Sequence, residues 1–268
     1  MNLRKIAVLA CAVMVLLSCN KQGGKKADNG STITKGVFAV GMEIGYPPME
    51  YYDIDGVTPI GFDVQLAKAV ADKLGLTVKY IDTAWDGIFA GVDTGKYDAI
   101  MSSVTITEAR LENYAFTKPY IKNAQALVLL KGSTVPRTPA ELGGLSVAYQ
   151  AETASDDYMS RLAEKGLKFN PYEYDKVINC FDDLRLGRVD AIVCDSVVAY
   201  FYTAQSDTPF EIVWEGEGEL LGICLKKGND ALSAQVEKAL DELFADGTVA
   251  KISQNIFGST AVVDAARE

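Results

Sequence analysis

One phrase stands twice in this chain, and it narrows the possible folds more than any other feature. Phe89 is followed six residues later by Gly95 and GKYDAIMSS, and Phe181 six residues later by Gly187 and GRVDAIVCD. Each copy reads as the last turn of a helix, a turn at Gly, and a strand that carries a set of polar residues to its carboxyl end. Around the first copy the apolar pattern alternates in period. GVFAVGM reads as a strand and GFDVQLAKAVADKLG as a helix, with Leu66, Val70 and Leu74 on one stripe and Gly75 at its stop. LTVKYID reads as a strand, WDGIFAGVDTG as a short helix, and KYDAIMSS as a strand. Around the second copy, AQALVLLKG, LSVAYQ and FNPYEY read as strands, with ASDDYMSRLAEKG and DKVINCFDDLRLG as helices. VDAIVCD and ELLGICLKKG are further strands, and DALSAQVEKALDELFADGTVAKISQNIF supplies one or two closing helices. Such β-α-β alternation implies α/β architecture with mostly parallel sheets, here as two related lobes.

The remaining constraints come from composition. A chain of 268 residues holds one large domain or two modest ones. Its formal charge of −10 argues against a nucleic-acid partner, which requires a concentrated positive surface. It has no histidine, which removes Ser-His-Asp hydrolysis, Cys-His nucleophiles and histidine-ligated metals. No cofactor and no metal are expected.

The first residues read as a targeting segment. Arg4 and Lys5 precede an apolar run, Ile6 to Leu17, too short for the roughly 20 residues that span a bilayer. It ends in Leu16-Leu17-Ser18-Cys19, which resembles the bacterial lipobox. On that reading residues 1–18 are the signal peptide, Cys19 the lipidated N-terminus, and the polar, Gly- and Lys-rich residues 19–35 a flexible tether; a plain signal peptide with an incidental Cys is the alternative. The implied location is the cell envelope, lipid-anchored in the periplasm or on the outer face of the cytoplasmic membrane. Cys11 leaves with the signal. Cys180, Cys194 and Cys224 remain; one disulfide plus a free thiol is open, although Cys194 and Cys224 lie in apolar contexts that suit small core residues.

In open α/β sheets ligands bind beyond the carboxyl ends of strands. There the first lobe delivers Ser102 and Ser103 and the second Cys194 and Asp195. In SSVTITEAR, Thr105 and Glu108 fit a capping box that opens a helix and leaves an anion site at its start. Arg110 lies inside that turn, where its planar fork matches a carboxylate; an exposed Arg on an ordinary capped helix is the alternative. Asp195 in the facing lobe needs a cation, or else serves as a turn residue or cap. A positive site opposite a negative one suits a zwitterion such as an α-amino acid. Tyr46 and Trp85 follow the first two strands and offer ring faces to a side chain, with core packing as the alternative. Pro47 and Pro48 stiffen the first loop.

GYPPMEYY, GFDVQLAKAVADKLG, AWDGIFAGVDTGKYDAIMSSVTITEAR and FTKPY resemble the polar amino-acid branch of bacterial extracellular solute-binding proteins, family 3, which serve ABC transporters. The resemblance covers nearly the whole chain after the tether. It implies a two-lobed periplasmic-binding-protein fold of type II, with two hinge strands near 120–126 and 219–223. Lobe one would comprise 36–121 and 223–268, and lobe two 126–218. It implies that Arg110 clamps the ligand carboxylate, that Ser102, Ser103 and Thr105 contact carboxylate and amine, and that Asp195 receives the ammonium. It places Tyr46 and Trp85 beside the ligand and Thr153 in the loop Gln150-Ala151-Glu152-Thr153-Ala154. There Glu152 replaces the usual Gly, which leaves the loop's geometry open and adds negative charge. Glu43 and Glu152 suit a basic side chain, so lysine, arginine or ornithine comes first, with a neutral polar amino acid as alternative. The expected partners are an amino acid, an ABC permease and, through the lipid, a membrane, with the protein a monomer and not an enzyme. A dehydratase on the same fold and a ligand-sensing module of a receptor are the rival classes.

Overall fold

In the computed structural model, which describes residues 31–133 and 137–268, the repeated phrase marks equivalent points of two β-sheets. The signal segment, Cys11 and Cys19 lie outside the described residues. The order begins β1 (Val37–Met42), a ribbon of β2 (Tyr51–Tyr52) and β3 (Pro59–Ile60), α1 (Phe62–Leu74), β4 (Thr77–Asp82) and α2 (Ile88–Asp93). It continues with β5 (Ala99–Ile100), α3 (Glu108–Asn113), β6 (Tyr114–Phe116), β7 (Ile121–Leu130), β8 (Ser146–Gln150) and α4 (Ala154–Glu164). Then come β9 (Asn170–Tyr174), α5 (Val177–Arg185), β10 (Ala191–Asp195), α6 (Ser196–Thr203) and β11 (Phe210–Leu221). The chain closes with β12 (Cys224–Lys226), α7 (Asp230–Ala245), α8 (Thr248–Phe257) and α9 (Ala261–Asp264).

One sheet runs β4-β1-β5-β12-β6 and the other β11-β7-β10-β8-β9. The two Asp residues of the repeat do the same work in each. Asp98 N–H donates to Ala39 O at 2.8 Å, and Ala39 N–H returns a bond to the Asp98 carboxylate at 2.8 Å. Asp190 N–H donates to Ser146 O at 2.8 Å, and Ser146 N–H donates to the Asp190 carboxylate at 2.8 Å. The repeat is therefore a clasp that fixes the register of β5 against β1 and of β10 against β8. Gly95 and Gly187, at φ of 74° and 66°, make the left-handed turns that precede the clasps.

Both sheets are mixed rather than mostly parallel. β1 pairs in parallel with β4 and β5, while β12 runs antiparallel beside β5 and β6. In the second sheet β8 pairs in parallel with β9 and β10, while β7 and β11 run antiparallel. The antiparallel members are the strands by which the chain leaves the first sheet and returns to it. β7 and β11 pair down to Ile121 and Leu221, and Thr117 and Ile223 exchange two bonds of 3.1 Å beyond them. ELLGICLKKG is consequently two strands. A Cβ on Gly222 would stand 2.8 Å from Ile106 Cδ1, so a side chain there would have to push Ile106 aside where the chain passes from β11 to β12.

KYDAIMSS keeps only Ala99 and Ile100 in the ladder, because the segment turns away at Ser103, whose φ is 51°. Residues 31–35, grouped with the tether by composition, rest on the first lobe. Ile33 N–H donates to Asp98 at 2.7 Å, and Asn229 Nδ2 donates to Ser31 O at 2.9 Å. Cys180, Cys194 and Cys224 are all buried free thiols. Among the described residues no helix is long and apolar enough to cross a membrane.

Candidate functional site

The carboxyl ends of β1, β5, β8 and β10 converge on one cavity containing about 320 Å³ of space free of protein atoms. Glu43, Tyr46, Trp85, Ser102, Ser103, Thr105, Arg110, Thr153 and Asp195 line it, joined by Glu50, Gln150 and Ala154. Glu152 is not among the lining residues, and it is exposed.

Arg110 reaches the cavity by a different local geometry from the one its spacing suggests. The cap of α3 is Thr107, not Thr105: Arg110 N–H donates to Thr107 Oγ1 at 3.2 Å. Thr105 instead bridges to Leu221 as a short β contact, which ties the loop to β11. The Arg110 side chain turns back to donate from Nη1 to Thr105 O at 3.0 Å. Its guanidinium stands 5.6 Å from the Trp85 ring centre and 5.1 Å from that of Phe89. Two ring faces thus hold a cation that has no carboxylate oxygen within 4.0 Å among the described residues. Burial pulls its pKa down, against the attraction of Asp157, Asp195 and Glu219.

Asp195 is the mirror case. Its carboxylate is 5% exposed and accepts from Tyr46 OH at 2.8 Å, Asn123 Nδ2 at 2.8 Å and Gln125 Nε2 at 3.0 Å. All three donors are neutral. Burial raises the Asp195 pKa, and the hydrogen bonds restrain the rise. An arriving cation would stabilise its charged form.

Among the described residues, three hydrogen bonds cross between the lobes. Besides Tyr46 to Asp195, Trp85 Nε1 donates to Glu152 O at 2.9 Å and Gln150 Nε2 donates to Glu43 Oε2 at 3.0 Å. Glu152 therefore acts through its backbone, and its φ of 59° is the left-handed conformation that Gly adopts without strain. Glu43 is 3% exposed, and its Oε1 has no hydrogen-bond partner. Burial drives its pKa to about 7, with Gln150 and Lys176 pulling down and Asp82 pushing up. The Ser103 hydroxyl is likewise buried without a partner.

Glu50 and Gln150 line the cavity although the sequence alone marks neither as a site residue. Glu50 sits in GYPPMEYY four residues beyond Tyr46, and Gln150 closes β8 just before the Glu152 loop. Strand-end position was the available signal for Gln150; nothing in a single sequence distinguishes Glu50 from an exposed acid.

Two mixed sheets joined by paired antiparallel strands, with a charged cavity between them, define a two-lobed solute-binding protein. Residues 38–259 match the profile of the bacterial extracellular solute-binding proteins, family 3, and the chain belongs to that family. The L-cystine-binding protein TcyJ of Escherichia coli (strain K12) is 31% identical over 227 residues, covering 84% of each chain. An ancestral arginine-binding protein bound to arginine superposes with a TM-score of 0.80 at 36% identity, covering 83% of this chain and 99% of that one. The ancestral amino acid-binding protein AncCDT-1, a precursor of cyclohexadienyl dehydratase, gives a TM-score of 0.77 at 31% identity, covering 83% and 96%.

Proposed function

We propose that this chain captures a free amino acid for an ABC importer, holding it between lobe one (36–121 and 223–268) and lobe two (126–218). One observation carries the reading: Arg110 and Asp195, of opposite charge and each without an ionic partner, face the same cavity from different lobes. Arg110 receives the ligand carboxylate with Ser103 and Thr105, and Asp195 receives the ammonium. The three cross-lobe bonds form only when the lobes meet, so ligand and protein contacts together favour the closed state that a permease would recognise. Lipidated Cys19 keeps the monomer at the membrane. The carboxylate of Glu43, with an unpartnered oxygen in the cavity lining, favours a basic side chain: lysine, arginine or ornithine.

The protein acts by capture, not turnover. The likeness to a dehydratase precursor is to an amino acid-binding protein, and the Arg110–Asp195 arrangement suits a zwitterion bound intact. Isothermal titration against the twenty amino acids, ornithine and cystine tests the reading, with prephenate and arogenate turnover as the enzymatic arm. Tightest binding by a basic amino acid is expected, with no product formed. Binding by none of the panel, or release of an aromatic product, would reject the proposal; cystine alone would keep the capture role and replace the ligand class.

A further inference from the structure

Beneath the two serines lies a hydrogen-bond chain whose polarity can be counted. Glu43 N–H donates to Ser102 Oγ at 3.0 Å, which directs the Ser102 hydroxyl proton to Glu50 Oε1 at 2.7 Å. From the other side, Ser103 N–H and Tyr120 OH donate to Asp63 Oδ2 at 2.8 and 2.9 Å. Donors thus arrive from both ends and are consumed on the outer oxygens. The inner oxygens, Glu50 Oε2 and Asp63 Oδ1, are buried with no partner, and both side chains are 0% exposed. Glu50 and Asp63 stand within hydrogen-bonding reach of each other. Glu43 and Tyr46 also face Glu50, and Tyr120 faces Asp63; Lys176 and Asp82 act on Glu43. Among the described residues no Lys or Arg nitrogen comes within 4.0 Å of either carboxyl. Two ionised carboxylates in a dry contact repel, whereas a single proton between the inner oxygens satisfies both.

We infer that Glu50 and Asp63 hold one proton between them, and that this acid pair positions Ser102 and Ser103 in the ligand site. Ser103 needs such a hold, because its φ of 51° is costly for a residue with a side chain. The positioning role rests on the reading of the cavity given above; the shared proton rests on hydrogen-bond polarity and on the contact of the two carboxyls.

Amide substitutions test the polarity. In Glu50→Gln the carbonyl must face the Ser102 hydroxyl, so its NH₂ points inward and replaces the shared proton. In Asp63→Asn the carbonyl must face Ser103 N–H and Tyr120 OH, so its NH₂ also points inward. Either substitution alone satisfies the pair, while the double variant sets donor against donor. L-arginine and L-cystine affinity and melting temperature would be measured for the parent, both single variants, the double variant and Glu50→Ala. Each amide alone is expected to cost about threefold or less in affinity. The double variant should lose about tenfold or more beyond the product of the single losses, and should melt below either single variant. Glu50→Ala should lose about tenfold, because Ser102 then has no acceptor. A double variant that merely multiplies the single losses, or melts above the parent as relieved repulsion requires, overturns the inference. Equal losses for Glu50→Gln and Glu50→Ala do the same. If the parent binds neither probe, the ligand reading and the positioning role fail together, and the melting cycle still decides the shared proton.

Discussion

Arg110 is held against the rings of Trp85 and Phe89 with its charge unpaired among the described residues. Its identity and its place after a strand-end turn mark it as an anion site, yet spacing alone points to Thr105 as the helix cap where Thr107 caps it. Thr105 and Thr107 both precede an acidic first turn, and only the bridge of Thr105 to Leu221, more than a hundred residues away in the chain, removes it from the cap. Local spacing cannot register a pairing with β11. The outcome for Arg110→Ala follows from its surroundings: removing one partner of a desolvated charge pair costs about 2–5 kcal/mol, roughly 30-fold or more in affinity. Calorimetry should show that loss while the circular dichroism stays native. Glu152 gives the opposite expectation. Since its side chain is exposed and only its carbonyl meets Trp85, Glu152→Gly should keep arginine affinity within about twofold and relieve a left-handed strain of about 1 kcal/mol. A tenfold loss of affinity for basic ligands would instead place the Glu152 carboxylate at the ligand.

At the level of elements, most of the strands and helices were readable because each carries its own period. α1, α4, α5 and β8 fall where their apolar patterns place them. β11 is legible only at its end, because beyond the short run Ile212-Val213-Trp214 the segment EGEGE carries no apolar residue and lies along an edge of the sheet. The break at Gly222 depends on Ile106 and Phe116 lying close by, a fact of tertiary packing. The clasps invite a comparison between the lobes. Asp98 is 5% exposed and holds two amides, those of Ile33 and Ala39, whereas Asp190 is exposed and holds one. Asp98→Ala should therefore destabilise by about 2–3 kcal/mol and Asp190→Ala by about 1 kcal/mol or less, measured by urea unfolding. Comparable losses would mean that the clasps matter through something other than the amides they satisfy. The indole latch belongs to the same scale. Trp85→Phe retains an aromatic face beside Arg110 but removes the bond to Glu152 O, so affinity should weaken about two- to tenfold. Because that bond forms only once the lobes meet, stopped-flow measurements should place the change in the dissociation rate.

Across the whole molecule, the first lobe keeps a column of carboxyl groups away from water, and this sets the sign of its pH dependence. Glu43 is raised to about 7, and Glu50 and Asp63 are raised together as a pair, with burial the largest cause for each; Asp195 and Glu219 are raised as well. Between the ordinary carboxyl range near pH 4 and about pH 7, the folded chain therefore holds more protons than the unfolded chain. Stability then falls as pH rises through that window, and the contribution is complete only below the unfolded pKa. For Glu43 alone the shift corresponds to something on the order of 3 kcal/mol. The opposing groups act elsewhere: Asp246, lowered to about 2 beside Lys73 and Thr248, and Asp241, lowered beside Lys118, withdraw stability only on the acid side. The melting temperature of the ligand-free protein should thus drop by several degrees from pH 5.5 to 8.0, and Glu43→Gln should flatten the slope. A basic ligand placed beside Glu43 reverses the balance by favouring the carboxylate. Its binding near pH 7 should release a proton, seen as a calorimetric enthalpy that varies with the ionisation enthalpy of the buffer, while a neutral amino acid should leave Glu43 protonated and the enthalpy nearly independent of buffer. A melting temperature that climbs between pH 5.5 and 8.0 would contradict the buried acids, and buffer-independent binding of arginine would remove its side chain from Glu43.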